Sequence, residues 1–315
     1  MPSAETREKV KALTDKLEAG VKEVFESERY KAYLKAMSKF HKYSSGNVLL
    51  ILTQCPEASL VAGYTTWKKQ FDRTVKKGER GIQIIAPIQR SRLIKQDRLD
   101  PDTHLPIIGE NGVPEKEPVF VSYQSFRVAY VFDVSQTEGK ELPSYGADEL
   151  TGDVSSFAAM FSAIEALSPV PVEYRPAANA KGSYNRLEQK IFLNKGMSQI
   201  QTLKTLIHET AHALLHTRPE AAAKDRRTKE VEAESIAYVV CQHFGIDTSD
   251  YSFPYVTSWS SGKELDELKA SLDCISKTAA ELIDGVEKAC PEMARNSMLQ
   301  KENAFHHETH YTAVR

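Results

Sequence analysis

Apolar residues recur at helical spacing near the start of the chain. Val10, Leu13, Leu17, Val21, Val24 and Phe25 form one stripe and predict helix within residues 5–39. A polar, glycine-bearing turn follows, and Val48-Leu49-Leu50-Ile51 opens another apolar helix that Ser45 or Asn47 could cap. Strands are predicted at Ile82–Pro87, Val119–Tyr123 and Phe126–Val134, the last two rich in aromatic and β-branched residues. Between the first and second, residues 88–117 combine Arg90, Arg92, Lys95 and Arg98 with Pro101, Pro106, Gly109, Gly112 and Pro114. This reads as a basic, flexible hairpin or insertion. Residues 138–153, with Gly139, Pro143 and Gly146, read as a linker.

Beyond the linker the pattern changes. Phe157–Leu167 predicts a helix, Val170–Tyr174 and Lys190–Asn194 predict strands, and Gly182–Arg186 predicts the turn between them. Ser198 and Gln201 form an S-x-x-Q capping box, and Ile200, Leu203, Leu206, Ile207, Ala211 and Leu214 cluster on one flank of the helix it opens. A helix over 229–244 stops at Gly245. Lys263–Lys288 is amphipathic, with Leu265, Leu268, Leu272, Ile275, Ala279 and Leu282 inward. These elements predict an α+β protein: a mixed domain over 1–140, a second domain over 148–289, and a flexible tail over 290–315.

Composition narrows the picture only a little. A chain of 315 residues with net charge −2 fits two domains and gives no global sign of an anionic or cationic partner. Val48–Leu52 is the longest apolar run, far short of a membrane span, so no membrane partner is expected. Met1–Glu5 lead into a charged helix rather than a signal peptide. Cys55, Cys241, Cys274 and Cys290 lack C-x-x-C spacing and read as reduced thiols in a cytoplasmic protein.

Chemistry concentrates at His208-Glu209-Thr210-Ala211-His212. On a helix, residues four apart lie about 40° apart around the axis and about 6 Å along it, so both imidazoles can reach one cation. Glu209 projects beside them, placed to take a proton from water. A zinc site of this type needs a third protein ligand. The helix from Lys229 supplies candidates, because Glu230, Ala233, Glu234 and Ala237 share one stripe. The alanines permit close approach to the histidine helix, and the glutamates would point at the histidines. Glu232 falls on the far side and is expected in solvent. The same residues also fit an ordinary charged helix face.

His208-Glu209-x-x-His212 followed by Glu230-x-x-Ala233-Glu234-x-x-Ala237 resembles the zincin metallopeptidases, in particular the ImmA/IrrE-like and ArdC-like branch. The resemblance implies a gluzincin-like zinc (Zn2+) metalloendopeptidase domain acting on a protein or peptide. His208, His212 and Glu230 would be the ligands and Glu209 the general base. Related zincins often carry Asp or Asn where Glu234 stands. Geometry leaves Glu230 and Glu234 both able to ligate, the other orienting a histidine from behind. The resemblance also implies that the strand just before the metal helix is a sheet edge on which an extended peptide can lie. Tyr184, Tyr238, His216 and His243 are candidate oxyanion donors, and Tyr251, Phe253, Tyr255 and Trp259 could wall the cleft or simply pack. His306-His307-Glu308-Thr309-His310 lacks the metal-binding spacing.

A second constellation lies nearer the N-terminus. Tyr64, Trp67 and Phe71 are interleaved with Lys68, Lys76, Lys77 and Arg80, a combination suited to single-stranded nucleic acid, where cations follow phosphates and rings stack on bases. Tyr64, Trp67, Lys68, Lys76, Lys77 and Arg80 are the candidate contacts by physical type, although core aromatics beside a basic turn give the same composition. The run Tyr43-Ser44-x-Gly46-Asn47, Val61-Ala62-Gly63-Tyr64-x-x-Trp67 and Val75-Lys76-Lys77-Gly78-Glu79-Arg80-Gly81 resembles the N-terminal domain of ArdC-like antirestriction proteins. That family is typical of plasmids, conjugative elements and phages, and the resemblance implies binding of single-stranded DNA. Two further readings are a DNA-binding protective protein whose metal domain is not catalytic, and a metalloprotease whose N-terminal domain binds protein.

Overall fold

The computed structural model describes residues 4–140, 142, 154–176, 180–217, 223–246, 253, 256–291 and 293. The elements of the N-terminal half are α1 (Ala4–Val24), α2 (Ser27–Lys39), α3 (Ser45–Gln54), β1 (Val61–Gly63), α4 (Tyr64–Gln70), β2 (Arg73–Val75), β3 (Ile82–Asp97), β4 (Lys116–Asp133) and β5 (Thr137–Gly139). The C-terminal half adds α5 (Val154–Leu167), β6 (Val172–Tyr174), β7 (Gly182–Asn185), β8 (Lys190–Leu193), α6 (Gln199–Leu215), α7 (Arg226–His243), α8 (Val256–Ser260) and α9 (Leu265–Ala289). The fold is α+β, as the apolar pattern predicts. The linker expected over 138–153 begins inside β5, which takes in Glu138 and Gly139. Its residues 141 and 143–153, most of the aromatic loop at 251–255 and the tail beyond 293, with His306–His310, lie outside the described residues.

The chain divides into two compact units, one of Met1–Leu13 with Ile85–Ala129, the other of Thr14–Ile84 with Tyr130–Arg315. In the first, β3 and β4 are hydrogen-bonded neighbours that form a long arm. Its turn region is ordered by bridges between Leu99 and Pro106 and between Ile108 and Pro114. The basic hairpin or insertion expected over 88–117 is a hairpin, entered by the end of β3 and left by the start of β4. Val119–Tyr123 and Phe126–Asp133 lie on one continuous strand, Val134 opening a 3-10 turn. Alternation carries through the intervening polar residues because only one face of β4 is covered there.

In the larger unit the predicted helix over 5–39 is broken between α1 and α2, where Glu26 takes an extended backbone. Neither Ser45 nor Asn47 caps α3. Ser44 does, its side chain accepting the Asn47 N–H at 3.3 Å. Trp67 is fully buried with Ala62 and Phe71, and its Nε1–H donates to the Phe132 carbonyl at 2.9 Å. α2 and α9 both pack on α7, and the Tyr30 hydroxyl meets Ser235 Oγ at 2.7 Å. Phe253 packs edge-on against Tyr30 and Tyr238, and Trp259 Nε1–H donates to Thr228 Oγ1 at 3.0 Å. These two aromatics are core residues.

The small sheet beside α6 has the order β6-β8-β7. β8 is parallel to β6 and antiparallel to β7, with Gly182 opposite Leu193 and Asn185 opposite Lys190. This corrects two expectations. Gly182–Asn185 form a strand rather than a turn, and the strand just before the metal helix is central, so β7 supplies the edge beside α6 among the described residues. None of the four cysteines forms a disulfide. Among the described residues no helix is long and apolar enough to cross a membrane.

Candidate metal centre and nucleic-acid surface

α6 begins at Ser198, whose side chain accepts the Gln201 N–H at 3.2 Å. The return half of the expected box is missing, because Gln201 Oε1 accepts from Lys181 Nζ at 2.9 Å instead. α7 is opened by Asp225, which accepts the Thr228 N–H at 2.8 Å and its hydroxyl at 2.9 Å. Its C-terminus closes on Gly245 at φ 69°, with Ile246 N–H on the Cys241 carbonyl at 2.9 Å and Gly245 N–H on the Gln242 carbonyl at 3.4 Å. That paired closure is a Schellman motif, which needs the left-handed glycine. Between these ends Ala233 and Ala237 are fully buried, and α7 packs extensively on α6.

The close packing brings three ligand atoms together. His208 Nε2 and His212 Nε2 are 3.1 Å apart, and a Glu230 carboxylate oxygen lies 3.6 Å from the first and 3.7 Å from the second. Glu234 meets the other side of the ring, 3.1 Å from His208 Nδ1. Two imidazole nitrogens and one carboxylate oxygen suit a divalent metal, with an open side for water. Burial works to lower the His208 pKa, but Glu230, Glu234 and Glu209 outweigh it and raise it to about 10. His208 and His212 in turn hold the Glu230 carboxyl far below its ordinary range.

Glu209 is buried, and burial raises its carboxyl above the usual value against the pull of both histidines and the Tyr184 backbone N–H. A carboxylate of raised basicity is what a general base requires. β7 is pressed close to it. A Cβ on Gly182 would lie 2.4 Å from Thr205 Cγ2, 3.0 Å from the Phe192 carbonyl oxygen and 3.4 Å from Glu209 Cγ, so only glycine fits. The resulting cleft of about 570 Å³ is lined by Gly182, Tyr184, His208, Glu209, His212 and Glu230, with Arg186, Arg226 and Lys229 adding positive charge.

Of the four candidate oxyanion donors, Tyr184 and His216 line this cleft. Tyr238 is buried against Phe253, and His243 is engaged by the Ser38 carbonyl and Glu287. His216 is occupied as well, with Nδ1 2.8 Å from His212 Nδ1 and Nε2 3.1 Å from Glu232. Glu232, expected in solvent, has no exposed surface at all. Lys224 Nζ donates to its two oxygens at 2.6 and 2.8 Å, and Ser271 Oγ at 2.9 Å. Helix phase does turn Glu232 away from Glu230, but α9 and Lys224 cover that side. Burial pushes the Glu232 carboxyl up, but His216, Lys224 and Ser271 outweigh it and hold it below its usual range. Burial lowers the His216 pKa. A second group, buried His41 and Glu287 with half-exposed Asp284, could also face a cation, but the Lys42 ammonium already engages Asp284.

The nucleic-acid candidates separate. Lys68, Lys76, Lys77 and Arg80 are exposed and Tyr64 is 52% exposed, whereas the ring of Trp67 has no free face. Its indole fills the apolar space under α4, which corrects its assignment as a stacking residue. Lys76 Nζ is tied to the Ser135 carbonyl at 2.9 Å. The arm carries aromatics that composition alone did not single out: Phe120 is 73% and Phe126 48% exposed, on the same face of β4 by strand alternation. Arg92, Lys95 and Arg98 are exposed on or next to β3.

Residues 5–132 match the N-terminal domain of anti-restriction factor ArdC, and residues 168–242 match the IrrE N-terminal-like domain of the M78 peptidases. An uncharacterized protein of Bacillus anthracis is 27% identical over 331 aligned positions, covering 94% of this chain and 54% of the relative. The chain thus spans about half the length of that curated relative. Among solved structures, the metal-free antirestriction ArdC protein from plasmid R388 is 23% identical with a TM-score of 0.44, over 84% of this chain and 86% of the other. Its Mn(II)-bound form is 20% identical with a TM-score of 0.39, over 86% and 90%. With an ArdC-type N-terminal domain followed by an IrrE-like domain of metallopeptidase fold, the chain is an ArdC-like protein.

Proposed function

We propose that this protein binds single-stranded DNA through its ArdC-type domain and hydrolyses peptide bonds at a zinc site held by His208, His212 and Glu230, in antirestriction or DNA protection during transfer. The observation that carries the enzymatic part is the meeting of two Nε2 atoms and one carboxylate within 3.7 Å, with buried Glu209 beside them. Zinc held there would supply Lewis acidity, lowering the pKa of water toward about 7. Glu209 would take a proton from the attacking water and pass it to the leaving amine. Among the described residues β7 is an end strand of its sheet, an edge an extended peptide could join, and Tyr184 stands on the same wall of the cleft. The DNA part is supported by the family match and by exposed cations and aromatics on the surfaces described above.

The test measures zinc content, single-stranded oligonucleotide binding and peptide cleavage on the wild type, His208→Ala and Glu209→Gln. The proposal expects one zinc per chain, lost in His208→Ala with DNA binding kept, and cleavage lost in Glu209→Gln with zinc kept. A wild type that binds zinc and DNA but cleaves nothing, and whose protective activity survives Glu209→Gln, would make the metal domain non-catalytic. Absence of zinc at excess supply would sink the enzymatic reading outright.

A further inference from the structure

We propose that Glu232 and His216 fix the tautomer of His212, acting as positioning residues that keep its Nε2 lone pair directed at the metal position. The inference rests on the metal-site reading but draws on a separate set of contacts, reaching from the cleft to the buried seam between α7 and α9.

Proton placement follows from one end of the chain of contacts. The Glu232 carboxylate has no exposed surface and accepts from Lys224 Nζ and Ser271 Oγ. As an acceptor-only group it can take a hydrogen bond from His216, 3.1 Å away, only if His216 Nε2 carries the proton. A neutral His216 then has a bare Nδ1. His212 Nδ1, 2.8 Å from it, must therefore be the donor. With its proton on Nδ1, His212 presents an unprotonated Nε2 to His208 and Glu230. Every hydrogen bond in the series points the same way, from His212 to His216 to Glu232.

Removing the anchor frees the series to reverse. If His216 holds its proton on Nδ1, it donates to His212 Nδ1 and forces the His212 proton onto Nε2. That ring then has no lone pair for a cation. Hydrogen-bond partners behind metal-bound histidines act through this choice of tautomer and through ring orientation, and losing one typically costs roughly 10–100-fold in metal affinity. Burying a charged residue in the helix seam has a cost that packing alone does not repay. Fixing the tautomer gives that charge a function.

The experiment uses the full chain as wild type, Glu232→Gln and Ser271→Ala. Histidine side-chain 15N NMR on the metal-free protein reads the tautomer, and competition of Zn2+ with a chromophoric chelator reads affinity. In Glu232→Gln the new carboxamide offers an NH2 that can donate to His216 Nε2. Reversal is therefore expected, with His212 shifting toward the Nε2–H form and zinc affinity falling about 10–100-fold. Ser271→Ala keeps the Glu232–His216 contact and should keep both the tautomer and affinity within about threefold of wild type on the same scale. Loss of affinity through general loosening would leave the wild-type tautomer in place and overturn the proposal, as would unchanged affinity in a folded Glu232→Gln. If that variant does not fold, the wild-type spectrum decides, because an Nε2–H form of His212 there is incompatible with the series. A wild type with the expected tautomer but no zinc binding would refute the metal-site reading and, with it, the purpose assigned to the series.

Discussion

Glu230 and Glu234, one turn apart on α7, address opposite edges of the same imidazole, Glu230 lying 3.6 Å from His208 Nε2 and Glu234 3.1 Å from His208 Nδ1. The two positions therefore have different consequences when neutralised. Glu230→Gln removes the carboxylate that faces both Nε2 atoms and is expected to abolish stoichiometric zinc binding. Glu234→Gln loses a partner behind the ring and is expected to retain zinc with affinity lowered roughly 10–100-fold. Chelator competition on the two variants distinguishes them, and equal losses would contradict the assignment.

Gly182→Ala tests how closely the edge strand must approach the metal helix. The new Cβ would meet Thr205 Cγ2, the Phe192 carbonyl and Glu209 Cγ, none of which is the free end of a long side chain. β7 must then move away from α6. Overpacking of this kind costs about 1–3 kcal/mol, and the displacement also shifts the Tyr184 N–H from Glu209. Peptide cleavage is expected to fall far more than zinc content, since the histidines stay on α6. Undiminished cleavage in a peptidase assay of the variant would count against the tight approach.

Much of this site is legible in the sequence for geometric reasons. His208, Glu209 and His212 are local to one helix, and Glu230 and Glu234 to another, so helical period alone places each group on a face. Contacts between distant segments are not legible in that way. Glu232 looks solvated by helix phase, because nothing local announces that Ser271 on α9 and Lys224 will cover it. Trp67 sits among lysines in sequence but points under α4, where Phe132, far along the chain, accepts its N–H. The central place of β8 depends on a strand pairing that Gly182, read as turn punctuation, conceals.

Asp225 links helix capping to pH. The Thr228 backbone N–H, with Lys263 and the Thr228 hydroxyl, draws its pKa from 3.8 down to about 2. A folded-state pKa below the unfolded value gives stability that is full above about pH 4 and is lost as pH falls toward about 2. Asp225→Ala is expected to destabilise by about 1 kcal/mol at neutral pH, the usual cost of a lost N-cap. Urea denaturation at pH 7 and pH 3 should show the difference from wild type shrinking in acid, while a constant difference would mean that the charge is not involved.

Aromatic exposure separates stacking from packing on the N-terminal part of the chain. Phe120 and Phe126 are exposed on one face of β4, whereas Trp67 is enclosed. Stacking of a base on an aromatic ring is worth about 1–3 kcal/mol, so Phe120→Ala and Phe126→Ala should each weaken single-stranded oligonucleotide binding by about 5–150-fold with little change in melting temperature. Trp67→Ala should do the reverse, removing a buried indole at a cost of about 3–5 kcal/mol to folding. Cation contributions are read from salt dependence, because each lost phosphate contact lowers the slope of log K against log salt by about 0.7 for a single strand. Lys77→Ala and Arg80→Ala should therefore reduce that slope, and the phenylalanine variants should leave it unchanged. Fluorescence anisotropy over a salt series measures both effects, and undiminished affinity in both phenylalanine variants would move the DNA away from the arm.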